Sequence, residues 1–118
     1  MRVQSFRELK VWQRGIELTA AVYALTKCMR KEEMFGLTSQ IRRAAVSIPS
    51  NIAEGQSRGT KSEFRHFLTV ARGSNAEVQT QLCLIRVLKF SDDDAIAGCE
   101  NLSVEIARML NGLIATLK

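Results

Sequence analysis

The chain has 118 residues, 46% of them apolar and 25% charged, with a single proline. That suffices for one domain spanning residues 1–118, and it excludes a disordered or linker-rich chain. The net charge of +5 is uneven: residues 1–60 carry ten Lys/Arg against five Asp/Glu, residues 61–118 seven against seven. The first half is therefore the place to look for an anionic partner.

Cys28, Cys83 and Cys99 are odd in number, and none forms a C-x-x-C pair. Each falls in a helical pattern, where a free thiol acts as a small apolar residue. The expectation is a reducing, cytoplasmic setting with no disulfide, no metal site and no cofactor. Arg7, Glu8 and Lys10 leave no apolar signal-peptide core. The longest uncharged run, Ala44 to Ala53, falls far short of the ~20 residues of a membrane span.

The first helical segment is expected from about Arg7 to Met29, with Ser5 and Glu8 as a capping box. Two stripes at 3-4 spacing run along it. One is Leu9, Trp12, Ile16, Thr19 and Tyr23; the other is Val11, Gly15, Leu18, Val22, Leu25 and Met29. Together they cover about half the circumference, more than one bundle core needs. Part of that arc is expected to meet another subunit.

Arg30 to Glu33 is a polar connection. The second segment runs from Met34 or Leu37 to Gln56, with a seam of Met34, Leu37, Ile41, Ala44, Ile48, Asn51 and Gly55. Pro49 lies inside it and removes a backbone bond. The helix either ends near Ile48 or continues with a kink held by packing. The spacing of Ile41, Ile48 and Ile52 favours the kink. Thr60 and Glu63 open the third segment, which lasts to about Lys89. One of its seams is Phe64, Leu68, Ala71, Asn75, Val78, Leu82 and Ile85. The other is polar in its middle, at Ser74, Glu77 and Gln81. The fourth opens at Ser91 or Asp92, and Ala95, Cys99, Leu102, Ile106, Met109 and Leu113 carry its apolar face. Short connections between four helices imply an all-α, antiparallel up-down-up-down bundle.

Two constellations stand out. Ser47, Asn51 and Glu54 in the second segment face Ser74 and Glu77 in the third. These five are expected to form a buried polar layer that fixes the register of the two helices, with a ligand or partner contact as the alternative. Glu54 and Glu77 have no nucleophile or metal-binding histidine near them in sequence. His66 is the only histidine and sits in no H-E-x-x-H pattern, so no enzyme activity is expected. The other constellation is basic: Arg42, Arg43, Arg58, Lys61, Arg65 and Arg72. Antiparallel helices cannot gather all six. Arg58, Lys61 and Arg65 crowd one bundle end and could grip RNA or DNA phosphates, without an aromatic platform for reading bases.

The pattern Phe6-x-x-Leu9-x-Val11-Trp12, the run from Gly36 through Ser47-Ile48-Pro49-Ser50-Asn51-Ile52-Ala53-Glu54-Gly55, and the stretch from Glu63 to Ser74 resemble the 23S rRNA intervening-sequence protein family. The resemblance spans nearly the whole chain. It implies an up-down four-helix bundle without known catalysis, assembled as a homo-pentamer. Related accessory proteins of diversity-generating retroelements use a basic bundle surface to engage nucleic acid and a reverse transcriptase. Three readings follow: an oligomeric scaffold that binds nucleic acid, a protein-only module assisting a neighbouring enzyme, and an enzyme using Glu54 and Glu77.

Overall fold

Four stretches with apolar residues every three or four positions become four helices in the computed structural model, which describes residues 5–117. They are α1 (Lys10–Thr26), α2 (Leu37–Ser57), α3 (Lys61–Val87) and α4 (Asp93–Thr116). Each packs against its sequence neighbours, and α1 also packs on α4. The result is a square, antiparallel four-helix bundle. Its core is drawn from all four helices, with Leu18, Ile48, Leu82, Ile85, Ile106 and Leu110 fully enclosed. Among the described residues no helix is long and apolar enough to cross a membrane.

The chain's start differs from the sequence expectation. The Ser5–Glu8 capping box forms, but it caps a short 3-10 turn, Phe6–Glu8. The backbone is then extended at Leu9, and α1 begins at Lys10. The break lets Leu9 reach the core and lays Phe6 edge-on against Trp12, with ring centroids 5.3 Å apart. An unbroken helix would place Phe6 and Leu9 on one rigid line.

Helix α2 runs unbroken through Pro49, which is buried. A proline at this position cannot donate to the carbonyl of Ala45. Helix α1 supplies a substitute: the Thr19 hydroxyl lies 3.1 Å from Ala45 O and 2.8 Å from its own helix's Gly15 O. One turn away, Gly15 makes room for the proline ring, which a Cβ would approach to 3.3 Å. Removing the hydroxyl as Thr19→Val is expected to cost about 1–2 kcal/mol by leaving Ala45 O short of a donor. In a Pro49→Ala background the same change costs less, because residue 49 regains its N–H. Denaturant melts of the four proteins check this. Equal costs in both backgrounds would show that the hydroxyl does not substitute for the missing amide.

Thr60 caps α3 by accepting from the Glu63 N–H at 3.2 Å. The helix ends in a paired-bond motif: Phe90 N–H donates to Ile85 O (3.0 Å) and Lys89 N–H to Arg86 O (3.1 Å). Lys89 occupies the left-handed region at φ 58°. Asp92 then accepts from the N–H groups of Asp94 and Ala95 and starts α4.

Candidate functional site

The facing polar residues of α2 and α3 come together in part. The hydroxyls of Ser47 and Ser74 are 2.8 Å apart, and Asn51 Nδ2 donates to Ser47 O (2.8 Å) and Ser47 Oγ (2.9 Å). Ser74 is buried, while Ser47 and Asn51 are half-buried. The expected burial of Glu54 and Glu77 does not hold: both are exposed. Glu54 accepts from Arg58 Nε at 3.0 Å, outside the bundle. Glu77 lines an open cleft with Phe35, Arg43 and Gln81. The layer closes on hydroxyls and an amide alone, and no cation is enclosed to repay the desolvation of a carboxylate.

The two glutamates are not a pair either. Glu54 adjoins Gly55, which packs on Phe64 and Phe67 of α3. Glu77 lies ten residues beyond Phe67, roughly 15 Å along a helix that rises 1.5 Å per residue. Acid–base work by two carboxylates needs them much closer than that.

A deeper polar pair escaped the sequence reading. Asn75 Nδ2 donates to Ser103 O of α4 (2.9 Å), and the Ser103 hydroxyl donates back to Asn75 Oδ1 (2.8 Å). Asn75 is 2% exposed and Ser103 fully buried. The signal was an asparagine inside an otherwise apolar seam, with a serine between Cys99 and Ile106. At the cleft side of α3, Gln81 is also buried, and among the described residues its Oε1 has no donor. Cys99, at the α1–α4 contact, is enclosed, and burial, aided by the charge of Glu100, pushes its thiol upward.

The six basic residues divide between two places. Arg58 is balanced by Glu54 at 3.0 Å and Glu63 at 3.8 Å, and its guanidinium lies over the Phe67 ring. It is a poorer phosphate ligand than its sequence neighbourhood implied. Lys61 and Arg65 are exposed and, among the described residues, have no carboxylate within ion-pair distance. Arg72 lies on the same face of α3 and donates to Asn111 Oδ1 of α4 at 3.1 Å. The stripe continues to Arg86, which Glu100 and Asp93 neutralise. Arg42 and Arg43 sit at the opposite end of the bundle. Arg42 donates to the Thr26 hydroxyl (2.8 Å) and covers the Tyr23 ring. His66 is exposed, edge-on to Phe67. Among the described residues no group of His, Cys, Asp or Glu is arranged to hold a metal ion.

The surface also shows where the wide apolar arc of α1 leads. Its inner stripe, from Val11 to Leu25, is buried. Its outer stripe leaves Ile16 and Tyr23 exposed beside Val46 of α2. Trp12, Ile16 and Val46 line a shallow groove over Pro49. Phe35, in the turn before α2, is 97% exposed.

Residues 7–112 match the family described as "23S rRNA-intervening sequence protein". Among solved structures, a protein of unknown function of the S23 ribosomal protein family from Bacteroides thetaiotaomicron VPI-5482 is similar in fold. Its TM-score is 0.82 at 24% sequence identity, over 89% of this chain and 95% of that one. No curated protein matches the chain in sequence.

Proposed function

This chain belongs to the 23S rRNA-intervening sequence protein family, and from its surface we propose that it is a non-catalytic homo-oligomeric scaffold that holds RNA or DNA by its phosphates. The observation that carries the nucleic-acid reading is the row of Lys61, Arg65 and Arg72 on one face of α3. Three acids of α4 are held by other partners, Asp93 and Glu100 by Arg86 and Glu105 by Arg14, and Asp94 lies in the first turn, at the end of the bundle away from Lys61. Self-association is supported by the apolar strip of Ile16, Tyr23 and Val46, and the family resemblance implies five subunits. Repetition of the basic row around such an assembly multiplies a weak field into a strong one.

Binding of this kind contacts backbone phosphates, tolerates any base sequence and weakens steeply with salt. The test titrates labelled single- and double-stranded RNA at two salt concentrations. Wild type is compared with a Lys61→Glu, Arg65→Glu, Arg72→Glu variant of unchanged oligomeric state. The triple variant is expected to bind about tenfold more weakly at low salt, with a shallower salt dependence. If wild type does not bind at low salt, or the variant binds equally well, the row only aids solubility. A protein-only module assisting a neighbouring enzyme, such as a reverse transcriptase, then takes precedence.

A further inference from the structure

An apolar groove of about 540 Å³ runs between the end of α1 and the start of α4. Leu25 and Cys99, both buried, form its floor; Phe90 walls it, and the exposed Cys28 stands at its lip. Gly98 opens onto the groove, and a Cβ there would meet nothing within 4 Å. The rim is acidic. Asp92 and Asp94 line it, and of the three consecutive aspartates only Asp93 has an ion pair among the described residues, with Arg86. Arg30 reaches over the Phe90 ring, but Glu32 holds it at 3.2 Å.

A matching projection lies on another side of the same bundle end. Phe35 is 97% exposed and Met34 46%. Both line a cleft with Arg42 and Arg43, and among the described residues neither arginine has a carboxylate within ion-pair distance. The acids nearest in sequence are Glu32, already paired with Arg30, and Glu33 beside Gly36. One place thus offers bare apolar side chains with unpaired cations behind them. The other offers an apolar recess with two carboxylates on its rim, Asp94 without an ion pair among the described residues and Asp92 accepting the N–H groups that start α4.

We propose that the Met34–Phe35 projection of one copy seats in the α1/α4 groove of the next, with Arg42 and Arg43 against its Asp92 and Asp94. This rests on the self-association reading above and names the surfaces that make it. Projection and groove are different patches, so after the first contact one copy keeps its groove free and the other its projection. Association is therefore head-to-tail and repeats. Antiparallel topology puts both patches at the same end of the bundle: Phe35 lies on the α1–α2 connection and Phe90 on the α3–α4 connection.

The test uses the full chain and its native Cys28. The first variant carries Phe35→Cys, Cys28→Ser and Cys83→Ser. The second carries only Cys83→Ser and a tag that shifts its size. The two are co-refolded, mildly oxidised and separated on a non-reducing gel, with light scattering of the same sample before oxidation. Because residues 28 and 35 reactive to each other lie on different chains, a mixed disulfide dimer reports an intermolecular contact only. The mixed dimer is expected as the main product. An oligomer in light scattering without the mixed dimer overturns the docking and leaves self-association standing. A monomer in light scattering overturns both. Since Phe35→Cys removes the ring itself, a charge exchange serves as a second arm: Asp94→Arg is expected to weaken assembly about tenfold, and adding Arg43→Asp to restore it. Failure of the double variant to recover more than either single one also overturns the pairing.

Discussion

Gly55→Ala is expected to lower the unfolding free energy by about 1–3 kcal/mol, although alanine is the better helix former by up to about 1 kcal/mol. A Cβ at this position would lie 2.6 Å from Phe67 Cβ, 3.2 Å from the Phe64 ring and 3.3 Å from Phe64 O. Two of these atoms, a Cβ and a carbonyl, move only with the backbone of α3. The two helices must therefore separate along the most intimate contact of the bundle. Gly55→Val should cost more still, because its branches enter the same space. Chemical denaturation of wild type and both variants provides the measurement. An Ala variant as stable as wild type would show that α3 can retreat at no cost. Gly73, Gly98 and Gly112 make good controls, since a Cβ at each meets nothing within 4 Å. Alanine at any of these should be neutral or stabilising by the propensity difference, up to about 1 kcal/mol.

Asn75→Ala is expected to cost about 2–4 kcal/mol, since it opens a cavity and strands the Ser103 hydroxyl in the interior. Ser103→Ala alone costs about 1–2 kcal/mol, leaving Asn75 Oδ1 unpaired but removing little volume. The double variant Asn75→Leu, Ser103→Ala refills the space and removes both polar partners, so it should lose less than Asn75→Ala. A double-mutant cycle by urea denaturation measures the coupling. If, in a cycle closed with Asn75→Ala, Ser103→Ala, the two single costs add without interaction, the 2.8 Å bond from the Ser103 hydroxyl contributes nothing of its own; the 2.9 Å bond to the Ser103 backbone carbonyl survives Ser103→Ala and lies outside the cycle. If the apolar double variant is stable yet yields a mixture of species, the pair's contribution is the choice of register between α3 and α4.

The bundle was legible because its signals are local. A 3-4 spacing marks each helix, and Thr60–Glu63 and Asp92 mark two starts within a turn. Continuity through Pro49 could be read from Ile41, Ile48 and Ile52, since a helix ending at Ile48 would have no use for Ile52 on the same stripe. The site was legible only in part. Ser47, Asn51 and Ser74 could be grouped because small polar residues recur at matching places on adjacent helices. Whether a glutamate on the same stripe turns inward depends on a cation across the interface, and no spacing rule within one helix contains that information. Glu54 turns out toward Arg58 for this reason. The same pairing discounts Arg58, whose charge had looked free beside Lys61 and Arg65. Asn75 and Ser103 are 28 residues apart in sequence, and only the packing of α3 on α4 makes them one unit. The break at Leu9 was invisible because Ser5 and Glu8 form a true capping box, on a turn that stops after three residues.

The Thr19–Ala45 contact also makes α2 depend on α1. Without α1, α2 lacks the bond between Ala45 and residue 49, and the stretch on either side of Pro49 is short enough to be marginal as a helix in water. The donor that rejoins them comes from another segment, and so does the glycine notch that admits the ring. Continuity of α2 is thus a tertiary property. The α2–α3 pair makes the most extensive contact in the bundle, yet the helix it is built on is completed by α1, so a residue that would break an isolated helix here ties a third helix to the pair.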